Sequence, residues 1–340
     1  MKQFLDKITN NESLGMEEME VAARQMFEEG TSDTEIGAFL TGLKVKGETA
    51  DEIAGLVNVI REKSMTLPSS IPGVMDNCGT GGDGSQSFNV STTSAFVIAG
   101  AGVTVAKHGN RSISSKTGSA DVLEHLGVSL ALTPEQTHEA LKENGIAFLF
   151  APHVHPALKR MMKVRKDLRI PTIFNLIGPL TNPVELTTQL LGIYRRDMLE
   201  RMANVLHRLG RKRALILNGA GHMDEASLAG ENHLVLLERG EIMQFTLSPE
   251  EVGLPVYSNE AIIGGDSKQN AEILYGVLNG EKGAYRDTVL MNAGLGIFAN
   301  GKAETVQDGV KLAKESIDSG AALSKLEYLI DFSSRTKQEV

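Results

Sequence analysis

The sequence predicts an α/β protein in two parts: a small all-helical domain, then a larger α/β domain with a mainly parallel central sheet. Three observations predict it. The first 66 residues carry helical periodicity and helix-start signals. Leu67-Pro68-Ser69-Ser70-Ile71-Pro72-Gly73 then breaks the pattern as a hinge or linker. Beyond it, short apolar runs alternate with helical stretches, as in βα units whose sheet is covered on both faces.

The elements follow in order. Met16 to Glu29 is an amphipathic helix that stops at Gly30. Ser32-Asp33-Thr34-Glu35 is a capping box opening a helix that ends before Gly47, and Thr49-Ala50-Asp51-Glu52 is another, leading into Ile53 to Lys63. Val74 to Cys78 is a short strand, Val90 to Ala101 a helix and Val103 to Ala106 a strand. Thr133-Pro134-Glu135-Gln136 combines a capping threonine, a first-turn proline and a third-position glutamine, so a helix starts there. Ala147 to Phe150, Leu190 to Tyr194 and Ala214 to Asn218 are further strands. Leu234 to Glu238 and Ile242 to Leu247, joined at Arg239-Gly240, form a hairpin. From Lys302 onward the pattern is helical.

A formal charge of −9 argues against a nucleic-acid or membrane surface, while leaving room for a local basic pocket. Cys78 is the only cysteine, so no intrachain disulfide forms, which fits a reducing compartment. Met1 to Asp6 lacks the apolar stretch of a signal peptide, and Ala95 to Ala106 is too short to span a bilayer. The expectation is a cytoplasmic protein.

The segment Asp76-Asn77-Cys78-Gly79-Thr80-Gly81-Gly82-Asp83-Gly84-Ser85-Gln86-Ser87-Phe88 follows the first strand of the α/β part. Glycines let backbone N–H groups close around an anion, and Asn89, Ser91 and Thr92 then open a helix whose positive end favours phosphate. Gly79 to Gly84 also matches the dinucleotide fingerprint. That fingerprint opens a helix directly and wants an acid about 20 residues on. Here Ser85 to Phe88 intervene, and Lys107-His108 occupies the later position. A glycine-rich turn with no ligand is the bland alternative.

Lys107 to Ser119 carries three basic residues and no acidic one, in a chain that is acidic overall. It is not a Walker A loop, because Asn110 and Ser115 stand where glycines are required. It reads either as a polyanion-binding loop or as a solvated surface loop. Asp224-Glu225 follows the strand Ala214 to Asn218 on a glycine loop. The pair suits Mg2+, or alternatively a helix N-terminus. His153-Val154-His155 is too short to specify zinc. His108 stands out because it lies between two candidate ligand loops. Lys159 to Arg169 holds six basic residues, of which one arginine could turn inward to hold a carboxylate bidentately. Phe174 to Pro183, punctuated by Gly178-Pro179 and Asn182-Pro183, is a fixed turn or a linker.

Together and in this order, the motifs resemble the anthranilate phosphoribosyltransferase family. The resemblance rests on Asn89-Val90-Ser91-Thr92 after the glycine segment, Lys107-His108-Gly109-Asn110-Arg111, Gly118-Ser119-Ala120-Asp121, Phe174 to Pro183 and Asp224-Glu225. It extends from the N-terminal helices to about residue 335. It implies a nucleoside phosphorylase/phosphoribosyltransferase-like fold and a homodimer. Residues 1–66, joined by helices from about 165–186, would form the helical domain; 72–164 and 187–340 would form the α/β domain, with hinges near 67–72 and 165–186. The implied reaction moves the phosphoribosyl group of phosphoribosyl pyrophosphate to the amine of anthranilate in tryptophan biosynthesis. The products are N-(5-phosphoribosyl)anthranilate and pyrophosphate.

The resemblance also implies site residues. Gly79, Gly82, Asp83, Ser87, Asn89, Val90, Ser91, Thr92, Lys107, His108, Gly109, Asn110, Arg111, Ser112, Ile113, Ser114, Ser115 and Ser119 would hold phosphoribosyl pyrophosphate. Gly79, Asn110 and Arg165 would place anthranilate, with His108 and Pro179 lining its path, and Ser91, Asp224 and Glu225 would bind Mg2+. No covalent nucleophile is expected. Three positions depart from the family pattern: Ser87 where threonine is frequent, and Arg169 and Pro171 where glycine and arginine are expected.

Two rival readings stay in view. A nucleoside phosphorylase of the same fold is similar over Gly118 to Glu124, but phosphorolysis has no need of the acidic pair. A non-catalytic sensor of phosphosugars or nucleic acid is the other, and the acidic balance weakens its nucleic-acid version.

Overall fold

The computed structural model describes residues 1–112 and 116–336. Ile113, Ser114 and Ser115, expected to hold phosphoribosyl pyrophosphate, therefore lie outside the described residues. The chain opens with helices α1 (Lys2–Thr9), α2 (Met16–Met26), α3 (Asp33–Lys46) and α4 (Ala50–Glu62). Both expected capping boxes close. Ser32 Oγ accepts the N–H of Glu35 at 3.2 Å while the Glu35 carboxylate accepts the N–H of Ser32 at 2.9 Å. Thr49 and Glu52 repeat the exchange at 3.2 and 2.8 Å. Helix α2 ends three residues before Glu29, because the N–H groups of Phe27 and Glu28 turn back to carbonyls only three residues away and tighten the last turn.

The α/β part runs β1 (Met75–Gly79), α5 (Val90–Gly100), β2 (Val105–Gly109), α6 (Ser119–His125), α7 (Pro134–Asn144), β3 (Ile146–Phe150), α8 (Ala151–Val154), α9 (Lys159–Leu168), β4 (Thr188–Gly192), α10 (Leu199–Arg208), β5 (Arg213–Asn218), β6 (Asn232–Glu238), β7 (Glu241–Leu247), α11 (Ser267–Leu278), α12 (Ala284–Asn300), α13 (Val306–Asp318) and α14 (Ala321–Thr336). Among the described residues the strands form one sheet in the order β3-β2-β1-β4-β5-β6-β7. The pairs from β3 to β5 are parallel, and β6 and β7 add an antiparallel hairpin.

Strand β2 corrects one expectation. It starts two residues after Val103 and continues through Lys107, His108 and Gly109, which pair with Phe148, Leu149 and Phe150 of β3. These three residues belong to the sheet rather than to the loop after it. Long-range pairing with β3 outweighs their weak strand character.

Alternation along β4 to β6 splits the core. Leu190, Leu215, Leu217, Leu234 and Leu236 face a cluster that includes α5, α12, α13 and α14. Leu191, Ile193, Ala214, Ile216, Val235 and Leu237 face the other way, onto α10 and the helical bundle. Helix α12 is buried at Arg286 and from Thr288 to Ala299. A Cβ on its Gly294 would lie 2.8 Å from the backbone N of Val310, so this glycine lets α13 dock closely.

Candidate active site

The strand order places the site. The chain builds β1, β2 and β3 outward in one direction, then returns to lay β4 on the other side of β1. The carboxyl ends of β1 and β4 therefore flank a topological switch point, where open parallel sheets bind ligands. Gly79 and Gly192 are paired at that point. Asp224 packs against both. A Cβ on Gly79 would collide with Asp224 Oδ2, and one on Gly192 would collide with the Asp224 carbonyl oxygen. Sequence reasoning found Gly79 and Asp224 but missed Gly192, which carries no local signal.

Beyond Gly79 the loop takes left-handed backbone at Gly81, Gly82 and Gly84, with φ of +70°, +82° and +75°. The N–H of Gly81 donates to Asp224 Oδ2 at 2.6 Å. Asp83 Oδ1 accepts from both N–H and O–H of Ser85 at 3.0 Å, and its Oδ2 accepts the N–H of Asp224 at 3.3 Å. At the start of α5, Ser91 donates its N–H to Glu225 Oε1 at 3.1 Å. No helix starts at Asp224-Glu225, so the helix-terminus alternative for that pair fails.

Three carboxylates thus converge on one glycine loop. Burial and the nearby acids Glu225 and Asp83 raise the Asp224 carboxyl well above its ordinary value. Burial likewise pushes Glu225 up to about 7, although Lys107 pulls the other way. Such a cluster carries more negative charge than Lys107 offsets, and its oxygen donors suit a hard divalent cation. Among the described residues no group of three or more acidic, histidine or cysteine side chains is placed to hold a metal ion by itself. A cation here would complete its shell with waters and ligand oxygens, as Mg2+ does.

The second wall comes from β2. Lys107 is 2% exposed, and its ammonium donates to the His108 carbonyl at 3.2 Å. The surface-loop alternative therefore fails for Lys107 and His108. Arg111 lies further out. Its guanidinium pairs with Asp121 and Glu124 at 2.7 and 2.9 Å. Asn110 accepts the N–H of Ala120 through its backbone carbonyl. Asn89 makes no helix-capping bond. Its side chain donates to the Thr117 carbonyl at 3.3 Å and accepts from Asn270 at 2.9 Å, tying the two loops together. Thr92 donates to Ser119 Oγ at 2.9 Å, and Ser87 bridges to Ile263. Val90 is buried.

The Phe174 to Pro183 segment is a fixed turn. The Gly178 carbonyl lies 3.2 Å from His108 Nδ1, and the Pro179 carbonyl accepts from Gln189 at 2.7 Å. Asn182 donates to Asp76 Oδ2 and to the Ala106 carbonyl at 3.0 and 2.8 Å. The buried Asp76 also accepts the N–H of His108. Asp76, Asn182 and Gln189 are positioning groups that sequence reasoning missed. Of the six basic residues from Lys159 to Arg169, four are exposed. Arg165 is half-buried, lies 5.5 Å from the Phe174 ring and contacts Met162 Sδ. Among the described residues it has no carboxylate partner, and no hydrogen bond joins it to Asn110 or Gly79.

The helical part, residues 2–64, matches the family described as "Glycosyl transferase family, helical bundle domain", and residues 72–323 match "Glycosyl transferase family, a/b domain". Over 329 residues, 97% of each chain, the sequence is 63% identical to an anthranilate phosphoribosyltransferase of Exiguobacterium sibiricum. The chain belongs to the anthranilate phosphoribosyltransferase family. Within that family, a relative from Bacillus thuringiensis subsp. konkukian is 59% identical over the full length of both chains. The crystal structure of the Thermus thermophilus anthranilate phosphoribosyltransferase superposes with a TM-score of 0.92 at 41% identity, covering 97% of this chain and 99% of that one. The Saccharomyces cerevisiae enzyme, solved in complex with PRPP and Mg, superposes at 0.89 with 28% identity, covering 98% and 97%. The helical-bundle-plus-α/β fold read from the sequence is the fold of these relatives.

Proposed function

We propose that this chain transfers the phosphoribosyl group of phosphoribosyl pyrophosphate to the amine of anthranilate, releasing pyrophosphate, as a step of tryptophan biosynthesis. One observation carries the reading: a left-handed glycine loop and three cation-poor carboxylates meet at the switch point of the sheet. The assignment of the two substrates is drawn from relatives solved with PRPP and Mg and with 4-fluoroanthranilate.

In this reading Gly79, Gly82, Asp83, Ser87, Asn89, Val90, Ser91, Thr92 and Ser119 cradle the sugar pyrophosphate from one side. Lys107 to Ser112 approach it from the other, with Arg111 first leaving its ion pairs. Ser91, Asp224 and Glu225 would hold Mg2+, which supplies positive charge to the leaving pyrophosphate when bound. Gly79, Asn110 and Arg165 hold anthranilate, with Arg165 free to pair with its carboxylate and His108 and Pro179 lining the path.

The aromatic amine attacks the anomeric carbon as the bond to the pyrophosphate oxygen breaks, and the amine proton leaves to solvent. The amine is weakly basic and needs no strong base. Catalysis then rests on alignment and on charge held ready for the leaving group, with Lys107 buried where that charge develops. Fluorescence of anthranilate, followed with phosphoribosyl pyrophosphate and Mg2+ present, tests the reading. A stable signal at high enzyme concentration would refute it.

We also infer a cytoplasmic homodimer. Its single cysteine suits a reducing compartment. Among the described residues no helix is long and apolar enough to cross a membrane. An open apolar groove of about 770 Å³ runs between α1, α3 and α9, lined by Ile8, Gly37, Gly42, Val45, Val164 and Leu168. Val45, at 82% exposure, stands at its rim and would be covered by a second copy.

A further inference from the structure

His155 has no part in the reading above, yet it is buried against His108. Their rings meet edge to face with centroids 5.1 Å apart, and the two Nε2 atoms lie 3.2 Å from each other. His108 Nδ1 faces the Gly178 carbonyl at 3.2 Å. His155 Nδ1 faces Ser64 Oγ at 2.5 Å. Ser64 stands two residues beyond the end of α4, where the helical domain meets its hinge.

The direction of every bond in this chain is forced. A carbonyl only accepts, so His108 Nδ1 carries a proton. Burial, with help from His155 and Lys107, brings His108 down to about 3, so the ring is neutral and its Nε2 holds a lone pair. His155 must then donate through Nε2. Burial brings His155 down to about 4, so it too is neutral, and its Nδ1 must accept. Ser64 therefore gives its one proton to His155. The Ile60 carbonyl, 2.6 Å away, is the other acceptor within reach, but a proton given to it would leave the buried Nδ1 of His155 without a donor. The run is Ser64 to His155 to His108 to Gly178. The opposite tautomer of His155 would set two lone pairs face to face or strip the bond to Gly178.

We propose that His155 is a positioning residue for anthranilate: it locks His108 as the Nδ1–H tautomer and so ties the Gly178–Pro179 wall to Ser64 at the helical-domain hinge. This rests on the reading in which His108 and Pro179 line the anthranilate path. His155 acts through His108.

The test uses the full-length enzyme with Mg2+ and three variants. His155→Leu keeps bulk and removes both ring nitrogens. His155→Gln keeps an N–H donor and an acceptor. Ser64→Ala removes the first donor of the chain. Ring-nitrogen NMR of the wild type is expected to show His108 protonated at Nδ1 alone, and His155→Leu to show a tautomer mixture. A lost buried partner should raise the anthranilate KM about tenfold and leave kcat within about twofold, while the phosphoribosyl pyrophosphate KM, to which His108 is one contact among many, should rise by clearly less. His155→Gln should recover most of the loss, and Ser64→Ala should shift the same way by less. If His155→Leu fails to fold, the other two variants decide. An Nε2–H tautomer in the wild type, an unchanged anthranilate KM, or equal losses for both substrates would overturn the proposal. A wild-type enzyme that consumes no anthranilate would instead sink the underlying reading, and this inference with it.

Discussion

Asp224 accepts the N–H of Gly81 at 2.6 Å, closing the glycine loop onto a residue 143 positions further along the chain. That bond commits one oxygen of the Asp224 carboxylate to the loop. It also makes the acidic pair and the glycine loop one unit, so a change in the charge of Asp224 reaches the loop directly.

The first prediction follows from that charge. Burial raises Asp224 and Glu225, Glu225 to about 7, against 4.5 for an ordinary glutamate. Between these values the folded state holds a proton that the unfolded state has lost. The metal-free protein should therefore lose stability as pH rises from about 4.5 through about 7. Mg2+ competes for the same oxygens, so its stabilising effect should grow with pH. Melting curves with and without Mg2+ at pH 6 and pH 8 check this; an equal shift at both values would place the metal elsewhere. Asp224→Asn with Glu225→Gln should flatten the pH dependence and abolish turnover.

The glycines of the site should separate into two classes. Gly82 has open space near it, with Tyr194 at 3.7 Å from a built Cβ, but a φ of +82°. Gly82→Ala should cost about 1–2 kcal/mol through the left-handed backbone alone and weaken phosphoribosyl pyrophosphate binding more than it lowers the melting point. Gly192→Ala forces a Cβ into the Asp224 backbone and should cost about 3 kcal/mol or more. Calorimetric titration beside thermal melts distinguishes them. A normal melt for Gly192→Ala would contradict the close approach.

Arg165 should be specific to one substrate. Burial pulls its guanidinium below its ordinary value, and Phe174 supports its face. Lysine offers neither the fork nor the stacking plane, so Arg165→Lys should raise the anthranilate KM about tenfold. Steady-state kinetics with each substrate varied in turn measures it. A matching loss for phosphoribosyl pyrophosphate would point to impaired domain closure.

If the proposed dimer forms through the apolar groove, Val45→Glu should yield a folded monomer, because the carboxylate would be buried unpaired between two copies. Light scattering after size exclusion reads the mass. A dimer of normal affinity would move the interface to another face.

What the sequence disclosed was local or adjacent. The Ser32 and Thr49 capping boxes lie within four residues and act where they are written. The glycine loop and the Asp224-Glu225 pair carry their chemistry in their residue types. Features made by chain segments meeting at a distance stayed hidden. Lys107 and His108 looked like loop residues because their strand pairing depends on Phe148 and Leu149. Helix α12 escaped notice because Gly294 and Gly296 weaken its helical signature, while their purpose, close contact with α13 and α5, exists only in the packed molecule. Gly192, Asp76 and Asn182 are silent for the same reason. His155 was weighed as a zinc ligand, since nothing in His153-Val154-His155 points toward His108.

The alternation along β4 to β6 has a consequence for how the molecule comes apart. Leu191, Ile193, Ala214 and Ile216 share one apolar seam with Met19, Leu40, Leu56 and Ile60 of the bundle. A fragment beginning at Pro72 would bare that seam to water and should self-associate instead of standing as an isolated sheet. Melting of the whole chain should then be a single cooperative event. Any movement that parted the bundle from the sheet would expose this seam to water, whereas a movement along the seam would keep it covered.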